Sequence, residues 1–172
     1  MKKIMTPVFF LTLIFFSACE VKVKEDSPGG NKAASTSKIR NGIELNSKGG
    51  MKVSQAFLLF EDGTLVPSTN EAKVNQEVNL RLIIENGFTQ SNGLVEIGAS
   101  EKIETNTGQT LLDEKDLFRN LGEIEAARAE ALTLKAVITR LDKLYDYFLV
   151  SFRVWDKKGN GEVTGSYKLY IQ

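Results

Sequence analysis

From residue 51 onward, apolar and polar residues alternate with a period of two, the spacing that sends successive side chains to opposite faces of a strand. Val78, Leu80, Leu82 and Ile84 alternate with Asn79, Arg81 and Ile83. That predicts a half-buried strand of about eight residues. Val53–Phe60 is a second strand, apolar on both faces after Gln55. Glu61-Asp62-Gly63-Thr64 follows as a hairpin turn, because Asp-Gly tolerates positive φ. Leu65 and Val66 then lead out to Pro67, which suits an edge or a loop. Leu94–Ala99 is a shorter strand with Val95 and Ile97 inward, and Gln109–Leu112 a minor one. Leu132, Leu134, Ala136 and Ile138 alternate with Thr133, Lys135, Val137 and Thr139. The strongest pattern is Phe148, Val150, Phe152 and Val154 against Leu149, Ser151, Arg153 and Trp155. Asp156–Gly161 reads as a turn, and Val163, Gly165, Tyr167, Leu169 and Ile171 as the last strand. Only Glu123–Ala131 (EIEAARAEA) breaks the period. Its Ala, Glu and Arg favour a helical turn or two.

About six or seven short strands separated by turn signals predict an all-β fold, an antiparallel β-sandwich of immunoglobulin-like architecture with one short helix. A small barrel is the alternative. The chain lacks the Cys…Trp…Cys spacing of antibody domains.

Upstream of residue 51 the pattern changes. Residues 20–50 are rich in Lys, Ser, Gly, Asn and Ala, with sparse apolar positions. Such a composition buries too little surface to offset chain entropy and predicts a disordered tether. Ile43 and Leu45 form an alternating pair that suits an edge strand. Before the tether, residues 1–18 read MKKIMTPVFFLTLIFFSA. Lys2 and Lys3 precede an apolar run from Val8 to Phe16, then the small residues Ser17 and Ala18. The run is about half the ~20 residues a spanning helix needs. A basic start, a short apolar run and a small-residue end describe a secretory signal peptide.

Phe16-Ser17-Ala18-Cys19 resembles the lipobox of bacterial lipoproteins. The resemblance implies cleavage between Ala18 and Cys19, a diacylglyceryl group on the Cys19 thiol, and acylation of the new amine. Each buried CH₂ contributes ~0.8 kcal/mol, so two or three chains hold a domain to a bilayer firmly. Lys24-Glu25-Asp26 resembles the Lys-acid-acid export signal of Bacteroidota surface lipoproteins. These resemblances imply an outer-membrane location, lipid-anchored, facing the periplasm or the cell surface. The expected organisation is a signal peptide over 1–18, lipidated Cys19 and tether over 19–50, and a sandwich over 51–172.

Composition narrows the chemistry. The chain has 172 residues, 22 basic and 22 acidic side chains, no His and one Cys. Without His there is no Ser-His-Asp or Cys-His nucleophile and no His-ligated catalytic zinc. One Cys excludes an intrachain disulfide and every Cys₂ or Cys₄ metal site. Residues 20–50 carry 6 basic and 4 acidic side chains, and residues 51–172 carry 14 and 18. Neither segment offers the basic field that nucleic acid requires. Asp156–Glu162 has oxygen ligands at places suited to a calcium loop, but Lys158 and Tyr167 occupy two ligand positions, so it reads as a hairpin turn. Asp113, Glu114 and Asp116 read as a solvated acidic turn. No cofactor, metal or catalytic residue is expected. If Phe148, Phe152 and Val154 face the core, parity turns Tyr147, Leu149 and Trp155 to the opposite face, with Tyr170 on the neighbouring strand. These four form the candidate binding face.

The expectation is a membrane-anchored envelope lipoprotein with a noncatalytic binding or scaffold domain and a protein partner in the envelope. The alternatives are an outer-membrane subunit of a trans-envelope secretion or gliding machine, and a surface glycan-binding lipoprotein.

Overall fold

The computed structural model describes residues 38–139 and 143–172. Their elements are β1 (Lys38–Ile39), β2 (Glu44–Lys48), β3 (Lys52–Phe60), β4 (Glu71–Ala72), β5 (Glu77–Asn86), β6 (Leu94–Thr105), β7 (Thr110–Glu114), β8 (Glu123–Glu125), α1 (Ala126–Ala129), β9 (Ala131–Val137), β10 (Phe148–Asp156) and β11 (Glu162–Ile171). They build an all-β sandwich. One sheet runs β1-β3-β5-β9 and the other β2-β11-β10-β6-β7. β4 adds to β11 beyond β2, and β8 adds to β6. Pairing is antiparallel except for β1 with β3 and β4 with β11.

The core lies where the two inner faces meet. Leu58 on β3, Leu80 and Leu82 on β5 and Leu134 on β9 are buried on one side. Val95 and Ile97 on β6, Phe148 to Val154 at alternate positions on β10, and Val163 and Leu169 on β11 oppose them. Full burial of each such side chain contributes ~1.5–3 kcal/mol, which is why the period of two specifies the faces so strongly. At the start of β3, Ser54 is an extra residue against β5, a bulge where Val53 pairs with Ile84 and Gln55 with Ile83.

The Glu61–Thr64 turn forms as the sequence predicts. The Phe60 N–H donates to the Thr64 carbonyl at 2.9 Å, and Gly63 has φ 82°. Asp62 accepts bonds from both the Thr64 N–H and hydroxyl.

Three expectations need correction. The sandwich does not start at residue 51, because residues 38–50 supply β1 and β2. β2 joins β11 through its backbone and leaves most side chains exposed, so its composition stays polar while its main chain is satisfied. Second, β6 continues past Ala99 to Thr105. Its inward row is Val95, Ile97, Ala99, Glu101, Ile103, Thr105, and the charge at Glu101 hides the alternation. Third, the Glu123–Ala131 segment begins as a strand. Val95 and Glu96 of β6 pair with Ile124 and Glu123, leaving only four residues for the helix. Tertiary pairing overrides local propensity there.

Candidate functional site

Strand parity on β10 places Leu149, Ser151, Arg153 and Trp155 on the outer face of the seven-stranded sheet. Tyr147, just before β10, joins them. The structure brings three of the four nominated residues together at one end of this face. The rings of Tyr147 and Tyr170 meet edge to face, with centroids 6.5 Å apart. The Lys168 ammonium lies 4.3 Å from the centre of the Tyr147 ring. Leu149 is the register partner of Lys168. Tyr170 is 38% exposed, while Tyr147 and Leu149 are half-buried.

Trp155 stands apart. It lies six residues along β10 from Leu149, about 20 Å at ~3.3 Å per residue. Gly98 is its register partner on β6, and the indole lies directly over that glycine: a Cβ there would come within 2.1 Å of the ring. The Arg153 guanidinium approaches the indole to 4.6 Å. Arg153 also donates from Nε and Nη2 to Glu162 Oε2, at 2.8 and 2.6 Å. These bonds hold the Glu162 carboxyl below the usual carboxylate range. Between the two aromatic stations the face is small and polar, with Ser151 opposite Ser166 and Thr164 opposite Arg153.

A cleft of about 480 Å³ opens at the Tyr170 end. Glu44, Leu149, Ser166, Lys168 and Tyr170 line it from the sheet, and Ser68 and Thr69 from a bordering loop. Asn41 and Asn70 set that border. Both are buried and both have positive φ, 58° and 57°. Arg40-Asn41-Gly42-Ile43 is a tight turn with φ positive at both central residues. Asn70 Nδ2 donates to the Asn41 and Lys168 carbonyls, at 2.8 Å each. It thereby bridges the stretch of β11 between its pairings with β2 and β4. The Asn41-Gly42 dipeptide is a sequence signal for such a turn; Asn70 carries none.

Other predicted features resolve into structural roles. Asp113 pairs with Lys115, Glu114 with Arg119 and Asp116 with Lys157, at 2.7, 2.8 and 2.9 Å. Asp156 spends its carboxylate on the backbone N–H groups of Thr89 and Lys158. Its own N–H donates to Gly161, closing the predicted turn. Among the described residues, no three His, Cys, Asp or Glu side chains converge as metal ligands.

No family model matches this chain, and no curated protein matches it. Among solved structures, the C-terminal domain of Wzt is similar: 15% identity over 79% of this chain and 81% of that one, with a TM-score of 0.48.

Ala18 and Cys19, the nominated cleavage and lipidation residues, lie outside the described residues, as do residues 20–37 of the expected tether. Among the described residues, no helix is long and apolar enough to cross a membrane.

Two polar side chains lie in the core, Glu101, which the strand pattern did not place there, and Tyr167, on the last strand. Glu101 is 1% exposed, and neither carboxyl oxygen has a hydrogen-bond partner among the described residues. Burial pushes its carboxyl up to about 7. The Tyr167 hydroxyl, pointing inward from β11, is likewise without a partner. Burial, and then the charge of Glu101, push that phenol well above its ordinary range.

Proposed function

We propose that this chain is an envelope lipoprotein, held to the outer membrane by acyl chains on Cys19, whose sandwich is a noncatalytic binding module. The observation that carries the binding role is the Tyr147–Tyr170 pair beside the cleft. Exposed aromatic rings next to a concave, partly apolar surface are what binding sites use to gain contact area at low entropic cost. Lys168 adds a cation at the rim. The anchor rests on Phe16-Ser17-Ala18-Cys19.

A photo-crosslinking residue at position 170 tests the module in cells. The expectation is a discrete crosslinked partner from position 170 and none from position 79, on the outer face of the other sheet. Equal yields from both positions, or none from either, would overturn it. Large envelope proteins among the products would extend the reading to a trans-envelope assembly.

A saccharide ligand is the second reading, favoured by the Ser68, Thr69 and Ser166 hydroxyls beside the Tyr170 ring. Trp155 is too far from the cleft to report it by fluorescence. Amide chemical-shift changes at Ser68, Thr69 and Tyr170 on adding sugars are the appropriate readout, and a silent spectrum rejects this reading.

A further inference from the structure

The interior of the sandwich holds a carboxyl group and a phenol that have no hydrogen-bond partner among the described residues. Glu101 projects inward from β6, and Tyr167 inward from β11. A charged carboxylate left unpaired in an apolar interior costs several kcal/mol, so such a group stays neutral or finds water. The surroundings offer no relief. From β11 it meets Tyr167, whose hydroxyl gives no bond. Its register partner on β10 is Phe152. The inward residues of β3, β5 and β9, including Leu58, Leu80 and Leu134, are apolar. From β7 its register partner is Glu114, a like charge already engaged by Arg119 at 2.8 Å.

One side of β6 is much weaker than the other. β10 pairs with it along the whole of Phe148–Asp156. β7 pairs only over Glu101–Glu104, with an irregularity between Ile103 and Glu104. β7 is the last strand of its sheet, and its residues 110–113 are exposed. Beyond it, the Leu117 N–H donates to the Ala99 carbonyl, Asp116 accepts from the Ala99 N–H and pairs with Lys157, and Lys157 also donates to the Phe118 carbonyl, so the ties lie after β7 rather than along it. Parting β7 from β6 therefore exposes Glu101 to water at the smallest structural cost.

We propose that the closed sandwich favours Glu101 as the neutral acid, and that its ionisation loosens β7 as a pH-operated flap on the sheet edge. In the closed form the carboxyl titrates near 7, and in the open form near the ordinary 4.5. Linkage then favours opening more at pH 8 than at pH 5, by on the order of ten- to a hundred-fold.

Amide hydrogen exchange on the mature chain, corrected for the intrinsic rate at each pH, tests this. The expected result is a loss of β7 protection on the order of ten- to a hundred-fold from pH 5 to pH 8, with β10 protection unchanged. Glu101→Gln should keep β7 protected at both pH values; if that variant does not fold, Glu101→Leu carries the same expectation. Flat β7 protection in the wild type overturns the proposal, as does an equal loss in the variant. So does loss of β10 together with β7, which marks global unfolding. A Glu101 carboxyl resonance titrating like an exposed glutamate also overturns it.

Discussion

The side chains of Asn41 and Asn70 bond to each other across 29 residues of sequence: Asn41 Nδ2 donates to Asn70 Oδ1 at 2.9 Å. Each amide also serves the backbone around it. Asn41 Oδ1 accepts the Leu58 N–H, and its Nδ2 reaches the Val66 carbonyl. Asn70 holds the Asn41 and Lys168 carbonyls, and its own carbonyl accepts the Tyr170 N–H. One amide pair thus joins the first turn, the loop before β4 and strand β11. Asn70→Ala should cost about 3–4 kcal/mol, from buried groups left unbonded and from a Cβ in the left-handed region. Asn70→Gly removes the same bonds but not the conformation, and should cost about 1 kcal/mol less. Urea denaturation of both variants measures this. Equal losses would reject the backbone contribution, and losses under ~0.5 kcal/mol would reject the clamp.

Gly98 is the seat of Trp155, so Gly98→Ala should displace the indole rather than fit beside it. Overpacking of this kind costs about 1–3 kcal/mol. The chain has one Trp, so its fluorescence reports this site alone. The variant should show red-shifted emission and a lower denaturation midpoint. An unchanged spectrum would mean that the ring is not held against the strand.

Acid stability should depend on Asp116. Burial alone would raise its carboxyl pKa. The bond from Lys157 and the Phe118 N–H outweigh that and leave the pKa below its ordinary 3.8. A group with a depressed folded pKa stabilises the fold above its unfolded value and loses that contribution as pH falls through the folded one. Wild type should therefore exceed Asp116→Asn in thermal midpoint at pH 6, and the two should converge as the pH drops below 3. A constant gap down to pH 2 would assign the difference to packing instead.

The lipid anchor has its own test. Cys19→Ser removes the thiol that the lipobox reading requires, and should leave the protein uncleaved at Ala18–Cys19 and unlabelled by a radiolabelled fatty acid. Labelling that persists in the variant would refute acylation at Cys19.

The sandwich was legible wherever alternation was apolar, as in Val78–Ile84 and Phe148–Val154. These residues gain so much by burial that they specify face and register together. Legibility ended where the backbone does the binding. β2 is polar because its main chain, not its side chains, joins β11. β1 and β4, at two residues each, are too short to show a period. Glu101 breaks the inward row of β6, and no pattern rule places a carboxyl in a core. At the candidate site, parity alone put Tyr147, Leu149, Trp155 and Tyr170 on the outward side. It did not reveal the cleft or its bordering loops, because these depend on register and on two left-handed asparagines.

The first described strands cross from one sheet to the other: β1 lies along β3, and four residues after it β2 lies along β11. Tension applied at residue 38 would load the two-residue β1 pairing in shear, and would next meet the turn at Asn41. Past that point the force divides, through Leu58 into one sheet and through Asn70 into the other. The joint that would take this pull also forms the rim of the cleft, so a pull at residue 38 and a ligand beside Tyr170 would act on the same few bonds.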